Sequence, residues 1–381
     1  MTIPAATRLL QSSVLVPELY LAFELGQARW KLGFTPGLGQ RPRERTIPAR
    51  DLERLVAEGA RAKERFGLPP GTPVVSCYEA GRDGFWLHRF LVAQGIASHV
   101  VDSASIEVNR RRRRAKSDRL DVGKLLYQLV RYRAGERKVW SVVHVPTEAA
   151  EDGRQLHREL LTLKRNRARV TNRIKGLLAN QGVGFELGAD FPAVVTQVRR
   201  WDGSSLPPGL RTRLAREWAK VGLLTEQIHH LEAERRERLR TAVEPEVDQV
   251  RQLLRLRGIG ENSAWLYVLE FFGWRGFRNR REVGGLSGLT PTPYQSGAQS
   301  REQGISKAGN RYIRAMAIEI AWGWLRFQPE SALSQWYQAR FGQGSCRVRR
   351  IGIVALARRL LVELWHYLET GAVPAGAVLK A

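Results

Sequence analysis

The sequence predicts an α/β domain at the amino end, a long helical linker and an all-α carboxyl region. Three observations predict it. Short apolar runs rich in β-branched and aromatic residues alternate with helical patterns up to about residue 140, leucines then step by three and four, and helical periodicity returns from about residue 250. A chain of 381 residues is long enough for two or three cores, and an apolar share of 43% is that of a globular protein. We place the boundaries at 14–140, 150–245 and 246–381.

Residues 19–25 and 30–34 are short β-prone runs around Gly26 and Gln27, and 45–49 is a third, which reads as a three-stranded antiparallel start. Residues 51–66 then carry helical periodicity. Residues 74–78 suit a buried strand, 85–94 a helix and 97–101 another strand, and 118–133 a helix with Val122, Leu125, Leu126 and Leu129 on one face. The order β-β-β-α-β-α-β-α is the one expected of an RNase H-like (RuvC-like) domain, a mixed sheet with helices on both faces.

Leu156, Leu160, Leu163, Val170, Ile174 and Leu177 form a coiled-coil seam broken only by Arg167. Leu214, Trp218, Val221, Ile228 and Leu231 repeat the pattern after a stretch punctuated by Gly and Pro, so the two helices can pair with each other or with another chain. From about residue 250 the chain is mostly helical again, through 312–327 and 351–369. Trp265, Trp274, Trp322, Trp324 and Trp365 fall in apolar helical patterns and read as core.

Sixty-two Lys and Arg against 37 Asp and Glu leave a formal charge of +25, a field that attracts polyanions and speeds their capture. Nucleic acid is the partner this implies. An anionic membrane would answer the same charge, but no run reaches the roughly 18 to 20 apolar residues of a spanning helix, and Glu18 and Glu24 interrupt the early apolar stretch, against a signal peptide. Cys77 and Cys346 are the only cysteines, which excludes a disulfide framework and a Cys-rich zinc site and fits a reducing cytoplasm. The seven histidines lack ligand spacing, so any metal would be held by carboxylates and would be Mg²⁺ or Mn²⁺.

Such carboxylates exist. Glu79 follows the buried strand, Asp118 and Asp121 open a helix on one face, and Glu24 ends the first strand. In an RNase H-like sheet the first and fourth strands are neighbours, so Glu24 and Glu79 would project from adjacent strand ends toward the last helix. Two cations held there can activate a nucleophile and stabilise a leaving oxygen. As ordinary surface residues, Asp118 would instead be an N-cap and Asp121 a first-turn acid. Asp83 and Asp102 are spare acids nearby. Arg110, Arg111, Arg112, Arg113 and Arg114, followed by Lys116 and Arg119, precede the acidic pair, and guanidinium forks match phosphate oxygens. The basic helix 154–175 carries too few acids for a merely solvated exterior and is expected to touch RNA or DNA.

Two further segments are informative. Gly258-Ile259-Gly260 sits between two apolar helical patterns, as in helix-hairpin-helix elements whose turn amides approach a phosphate. Residues 288–310, GLTPTPYQSGAQSREQGISKAGN, are too polar for core and read as a loop that meets something charged. Within it Ser306 is expected to cap the helix that carries Asn310 and Arg311.

Gly258, Gly260, the turn at 288–291, Ser296-Gly297 and the run 305–311 resemble, in order and spacing, the carboxyl domain of the insertion-sequence-110 class of bacterial transposases, RNA-guided DNA recombinases. The resemblance covers essentially the whole chain. It implies that the acidic tetrad falls on Glu24, Glu79, Asp118 and Asp121, that Mg²⁺ is held there, and that Ser296 attacks a DNA phosphodiester to leave a phosphoserine link. The family usually has Asp at the first position, where this chain has Glu24, one methylene longer. The nucleic-acid contacts expected are the arginine run, Lys116, Gly258, Gly260, Lys307, Asn310 and Arg311. A structured guide RNA, DNA at element ends and target, and assembly as a homodimer or tetramer are further implications. The rival readings are a RuvC-like, metal-dependent junction nuclease and a non-catalytic nucleic-acid-binding protein.

Overall fold

A nearly continuous apolar run makes Leu19–Leu25 a strand (β1) that buries Leu19, Leu21 and Phe23 on one face and Ala22, with Tyr20, on the other. The computed structural model describes residues 17–106, 118–184, 186–296 and 299–380, with backbone alone at 104, 118–121, 293–296 and 299–303; the arginine run and Lys116 lie outside the described residues. The chain divides into two units after Val145.

The first unit is α/β. β2 (Arg29–Thr35) and β3 (Arg43–Pro48) follow β1, then α1 (Leu52–Arg65), β4 (Val74–Glu79), α2 (Trp86–Ala93), β5 (Ala97–Val101) and α3 (Asp118–Arg133). The strand order is β3-β2-β1-β4-β5, with β1, β2 and β3 antiparallel in sequence and β4 parallel to both β1 and β5. Leu19, Leu21, Phe23, Trp30 and Tyr78 form one face with Leu55, Leu87 and Leu91 from α1 and α2. Ala22, Val75 and Cys77 form the other with Leu125, Leu126 and Leu129 of α3. Each large side chain so buried contributes about 1.5–3 kcal/mol.

The second unit is helical. α4 (Glu148–Asp152), α5 (Gln155–Ala179), α6 (Phe191–Val194) and α7 (Pro208–Thr241) lead into α8 (Pro245–Leu254), α9 (Glu261–Tyr267), α10 (Arg280–Ser287), α11 (Arg311–Phe327), α12 (Ala332–Tyr337) and α13 (Cys346–Thr370). α5 and α7 pair with each other, antiparallel: Lys164 meets Glu232 at 2.6 Å and Arg173 meets Glu217 at 3.0 Å. Their seam is phased differently from the leucine reading. His157, Leu160, Val170, Ile174 and Leu178 are buried against Leu214, Glu217, Val221, Ile228 and Arg235, while Leu156, Leu163 and Leu177 flank them half-buried. Glu217 and Arg235 hold seam positions with partners, Arg173 and Lys220 on Glu217, and Glu261 and Asn262 on Arg235.

α8 to α13 share one core around Trp265, Tyr267, Phe271, Trp324 and Leu360. Trp322 is an exception to the core expectation, since half of it is exposed on α11 (50%). Residues 288–310 are also not all loop. β6 (Pro291–Ser296) and β7 (Gln299–Ile305) pair antiparallel as a two-stranded ribbon, in which backbone pairing satisfies groups that a free loop would leave to solvent.

Candidate active site

The carboxylates Glu24 and Glu79 stand side by side. Phe23 of β1 pairs in register with Tyr78 of β4, so the next residue on each strand is one of the two acids, and neighbouring parallel strands lie about 4.8 Å apart. Both acids fall on the face that carries Ala22, Cys77 and α3. They line a cleft of about 420 Å³ with Gln27, Arg82 and Asp83 at the carboxyl end of the sheet. Burial, and then the nearby charge of Glu79, push the Cys77 thiol far up, so this cysteine is an inert core residue.

α3 is aimed at that end. Val122 lies against Gly33 of β2, where a Cβ would come within 2.5 Å of Val122 Cγ1, and Gly33 pairs with Ala22. At its other end Arg133 ion-pairs with Glu18, just before β1. The helix therefore runs opposite to β1 and begins where the strand ends. From Val122 back to Asp118 a helix rises about 6 Å, and from Ala22 on to Glu24 a strand advances about 7 Å, so the main chain at Asp118 is level with Glu24. The side chains of Asp118 and Asp121 lie outside the described residues.

Of the spare acids, Asp83 lines the cleft but is held by Arg50 and Arg82 at 3.3 and 3.4 Å and is nearly covered (7% exposed). Asp102 follows β5, with its amide bonded to the Ser141 carbonyl. Arg50 was not a sequence candidate. Its signal is weak in sequence, since only the fold brings the end of β3 to the loop after β4. Glu24 and Glu79 are hard oxygen donors of the type Mg²⁺ or Mn²⁺ takes, and so fit such an ion. Among the described residues no group of three or more His, Cys, Asp or Glu is arranged to hold a metal ion.

Ser296 belongs to the second unit and ends β6, paired with Gln299 across the turn; its side chain and Gly297 lie outside the described residues. The base of the ribbon is closed by Ser306 N–H donating to the Thr290 carbonyl and Lys307 N–H to that of Gly288. Gly309, in the left-handed region at φ 78°, approaches so closely that a Cβ would sit 2.0 Å from the Leu286 carbonyl. Asn310, not Ser306, caps α11: its Oδ1 accepts from the amides of Tyr312 and Ile313. A side-chain carbonyl two and three residues before the donor amides reaches them directly, whereas the Ser306 backbone is engaged in closing the ribbon. Arg311 donates to the Tyr312 hydroxyl at 2.8 Å, and with Arg165 it flanks that ring. These cations, led by the Arg311 hydrogen bond, lower the Tyr312 pKa.

The turn at Gly258 and Gly260 joins α8 to α9, and three of the amides there are bonded within the fold. Those of Arg257, Ile259 and Gly260 donate to Val378 O, Leu256 O and Ser263 Oγ. Gln328, fully buried, ties the same turn to the carboxyl tail by donating to the carbonyls of Arg257 and Val378 and accepting from the Val378 amide. Those three donors are thus engaged within the fold.

Comparison with known proteins decides the family. Residues 250–336 match the Transposase IS116/IS110/IS902 family. The chain is 41% identical over 375 residues to the putative transposase y4rJ of Sinorhizobium fredii, covering 95% of this chain and 94% of that protein. The chain belongs to the IS110-type transposase family. It is also similar to the transposase for insertion sequence element IS1328 of Yersinia enterocolitica, 28% identical over 61% of this chain and 68% of that one. A probable family 20 transposase of Pseudomonas aeruginosa is 30% identical over 60% and 67%. As an IS110-type transposase the chain is a DNA-acting protein of an insertion sequence, and the matched segment contains the Gly258 turn, the ribbon of Ser296 and α11. No helix among the described residues is long and apolar enough to cross a membrane.

Proposed function

We propose that this IS110-type transposase cuts and rejoins DNA through Ser296, assisted by Mg²⁺ or Mn²⁺ held by Glu24, Glu79, Asp118 and Asp121. The observation that carries the proposal is the pair Glu24 and Glu79 on adjacent parallel strand ends, with the first turn of α3 level with them. The strand order β3-β2-β1-β4-β5 supports an RNase H-like reading of the first unit. A bound divalent ion there would neutralise the carboxylates and stabilise charge on the transferring phosphate.

The chain's own part in the reaction is then as follows. The Ser296 hydroxyl gives up its proton and its Oγ forms a bond to phosphorus, while the bond from phosphorus to one deoxyribose oxygen breaks and that oxygen takes a proton. Attack on the phosphoserine by a hydroxyl of a second DNA end reverses these bonds and frees the serine. Lys307 and Arg311, flanking the ribbon base, are the cations that would hold the phosphate. The formal charge of +25 supports nucleic acid as partner. Guidance by a structured RNA, and assembly of several copies, are parts of the proposal drawn from the family resemblance.

The test is incubation of the full chain with element-end DNA, the transcript flanking its gene and Mg²⁺. A denaturant-resistant adduct should form, map to Ser296 by mass spectrometry and be absent from Ser296→Ala. Strand cleavage without an adduct would favour attack by water and the junction-nuclease reading. Binding with no cleavage under any combination would leave only a nucleic-acid-binding protein.

A further inference from the structure

At the far end of the α5–α7 pair the chain displays a tryptophan. Trp201 is 79% exposed, the largest such value of any aromatic residue among the described residues, on the short turn between Arg199 and Ser205. The turn is firmly built. Arg199 and Ser205 pair across it, the Arg200 amide donates to Ser204 O, and Asp202 Oδ1 accepts from both the amide and the hydroxyl of Ser204. The Trp201 amide donates to Gln181 O at the end of α5, and its Cβ lies where a side chain on Gly182 would be, 2.8 Å from that Cβ position. The backbone is thus pinned and the indole is left outside.

The surroundings are polar, not apolar. Arg199, Asp202, Gly203, Ser204 and Ser205 are exposed around it, so the ring is no part of a contiguous hydrophobic patch of the kind that buries against another protein. Running toward it along the outward side of α5 are Arg165, Arg169 and Arg173, four residues apart and all exposed, the last of them also ion-paired with Glu217, and α5 carries Glu159 as its one acid. A track of cations ending in an exposed flat ring is the arrangement that follows a phosphate backbone and stacks a base.

We propose that Trp201 stacks on an unpaired nucleobase of a nucleic acid whose backbone runs along the basic face of α5. A paired base inside a duplex presents no free face, so the ligand is a single-stranded segment, DNA or RNA. The inference does not depend on the chemistry proposed for the carboxylates or Ser296, and Trp201 is no part of that machinery.

The experiment titrates fluorescein-labelled 20-nucleotide single strands of DNA and of RNA, and the corresponding DNA duplex, with the full-length protein by fluorescence anisotropy at several salt concentrations. Trp201→Ala should weaken single-strand binding by about 5- to 100-fold, the range of one stacked base. Duplex affinity and the salt slope should stay unchanged, because stacking releases no counterions. Trp201→Phe should recover most of the loss, and the arm showing the larger loss names DNA or RNA. Unchanged single-strand affinity, or an equal loss on the duplex, would overturn the proposal. So would a change in oligomeric mass in Trp201→Ala with nucleic-acid affinity intact, which would assign the ring to a second copy of the chain. Because the side chain is exposed, an unchanged melting temperature should accompany each variant.

Discussion

The carboxylate cleft and the serine ribbon are held by different physics. Glu24 and Glu79 end strands that are laddered on both sides and packed on both faces, so their spacing is set by sheet register. Ser296 ends a strand with one neighbour, in a two-stranded ribbon of a kind that is marginal alone and depends on its attachment. That attachment is the glycine contact and the two backbone bonds at its base. The difference teaches that the first region tolerates much change outside its ligands, whereas the second can be lost through a residue with no chemistry at all.

The largest expected effect tests the first region. Glu79→Gln keeps shape and removes a charge; if the carboxylate is needed, cleavage should fall by at least about 10³-fold, roughly 4 kcal/mol of barrier, with little change in melting temperature. Quantitative cleavage assays and thermal denaturation check both halves, and activity within tenfold of wild type would break the assignment. Next is Gly309→Ala in the second region. Its φ of 78° and the 2.0 Å approach to Leu286 O leave no room for a methyl group, so we expect a loss of about 3 kcal/mol or more and new proteolytic cuts within 290–305. Gly37→Ala, with open space around it, should be near neutral and serves as control.

A third effect separates the regions by pH. His157 on α5 is buried (1% exposed), and neither ring nitrogen has a hydrogen-bond partner among the described residues. Burial pulls its pKa down to about 4, assisted by Arg235, Arg158 and Lys164 and opposed by Glu270. The folded state therefore binds its proton less readily than the unfolded state, whose His titrates near 6.5. Its neutral form gives full stability above about pH 6.5, and stability is lost as pH falls toward 4, by roughly 3 kcal/mol at most. Denaturant titrations at pH 7 and pH 4.5, with hydrogen exchange on α5, should show that loss, and His157→Leu should remove His157's share of the slope. The smallest effect sharpens the cleft. Glu24→Asp withdraws the carboxylate by one methylene and should change the cleavage rate by about tenfold, roughly 1.4 kcal/mol, together with its Mg²⁺ dependence; identical rates would remove Glu24 from the ligand set.

Much of the first unit was legible because short apolar runs such as β1 and β4 mark buried strands, whose side chains then alternate between the two faces. Once Phe23 and Tyr78 pair, Glu24 and Glu79 must adjoin. The coiled-coil seam was legible as two helices but not in phase, since a hydrophobic pattern passes over His157, Glu217 and Arg235, which occupy seam positions. The segment around Ser296 hid its strands because Pro, Gly and Ser signal turns locally, while the ribbon is fixed by cross-strand pairing that no single stretch contains. The bond from the Arg257 amide to the Val378 carbonyl, and that from Gln328 to the Arg257 carbonyl, join the turn to residues distant in sequence and so could not be read from the motif.

Gly33 has no functional group, yet it acts as the shim beneath α3. A methyl group there would meet Val122 Cγ1 and lift the helix from β2, carrying the Asp118 end away from Glu24 and Glu79 while every carboxylate remained in place in the sequence. The calibration of the cleft is therefore written in an absence of atoms on a strand that contributes none of the four acids. A search for inactive variants confined to acidic positions would miss the residue that sets their gauge.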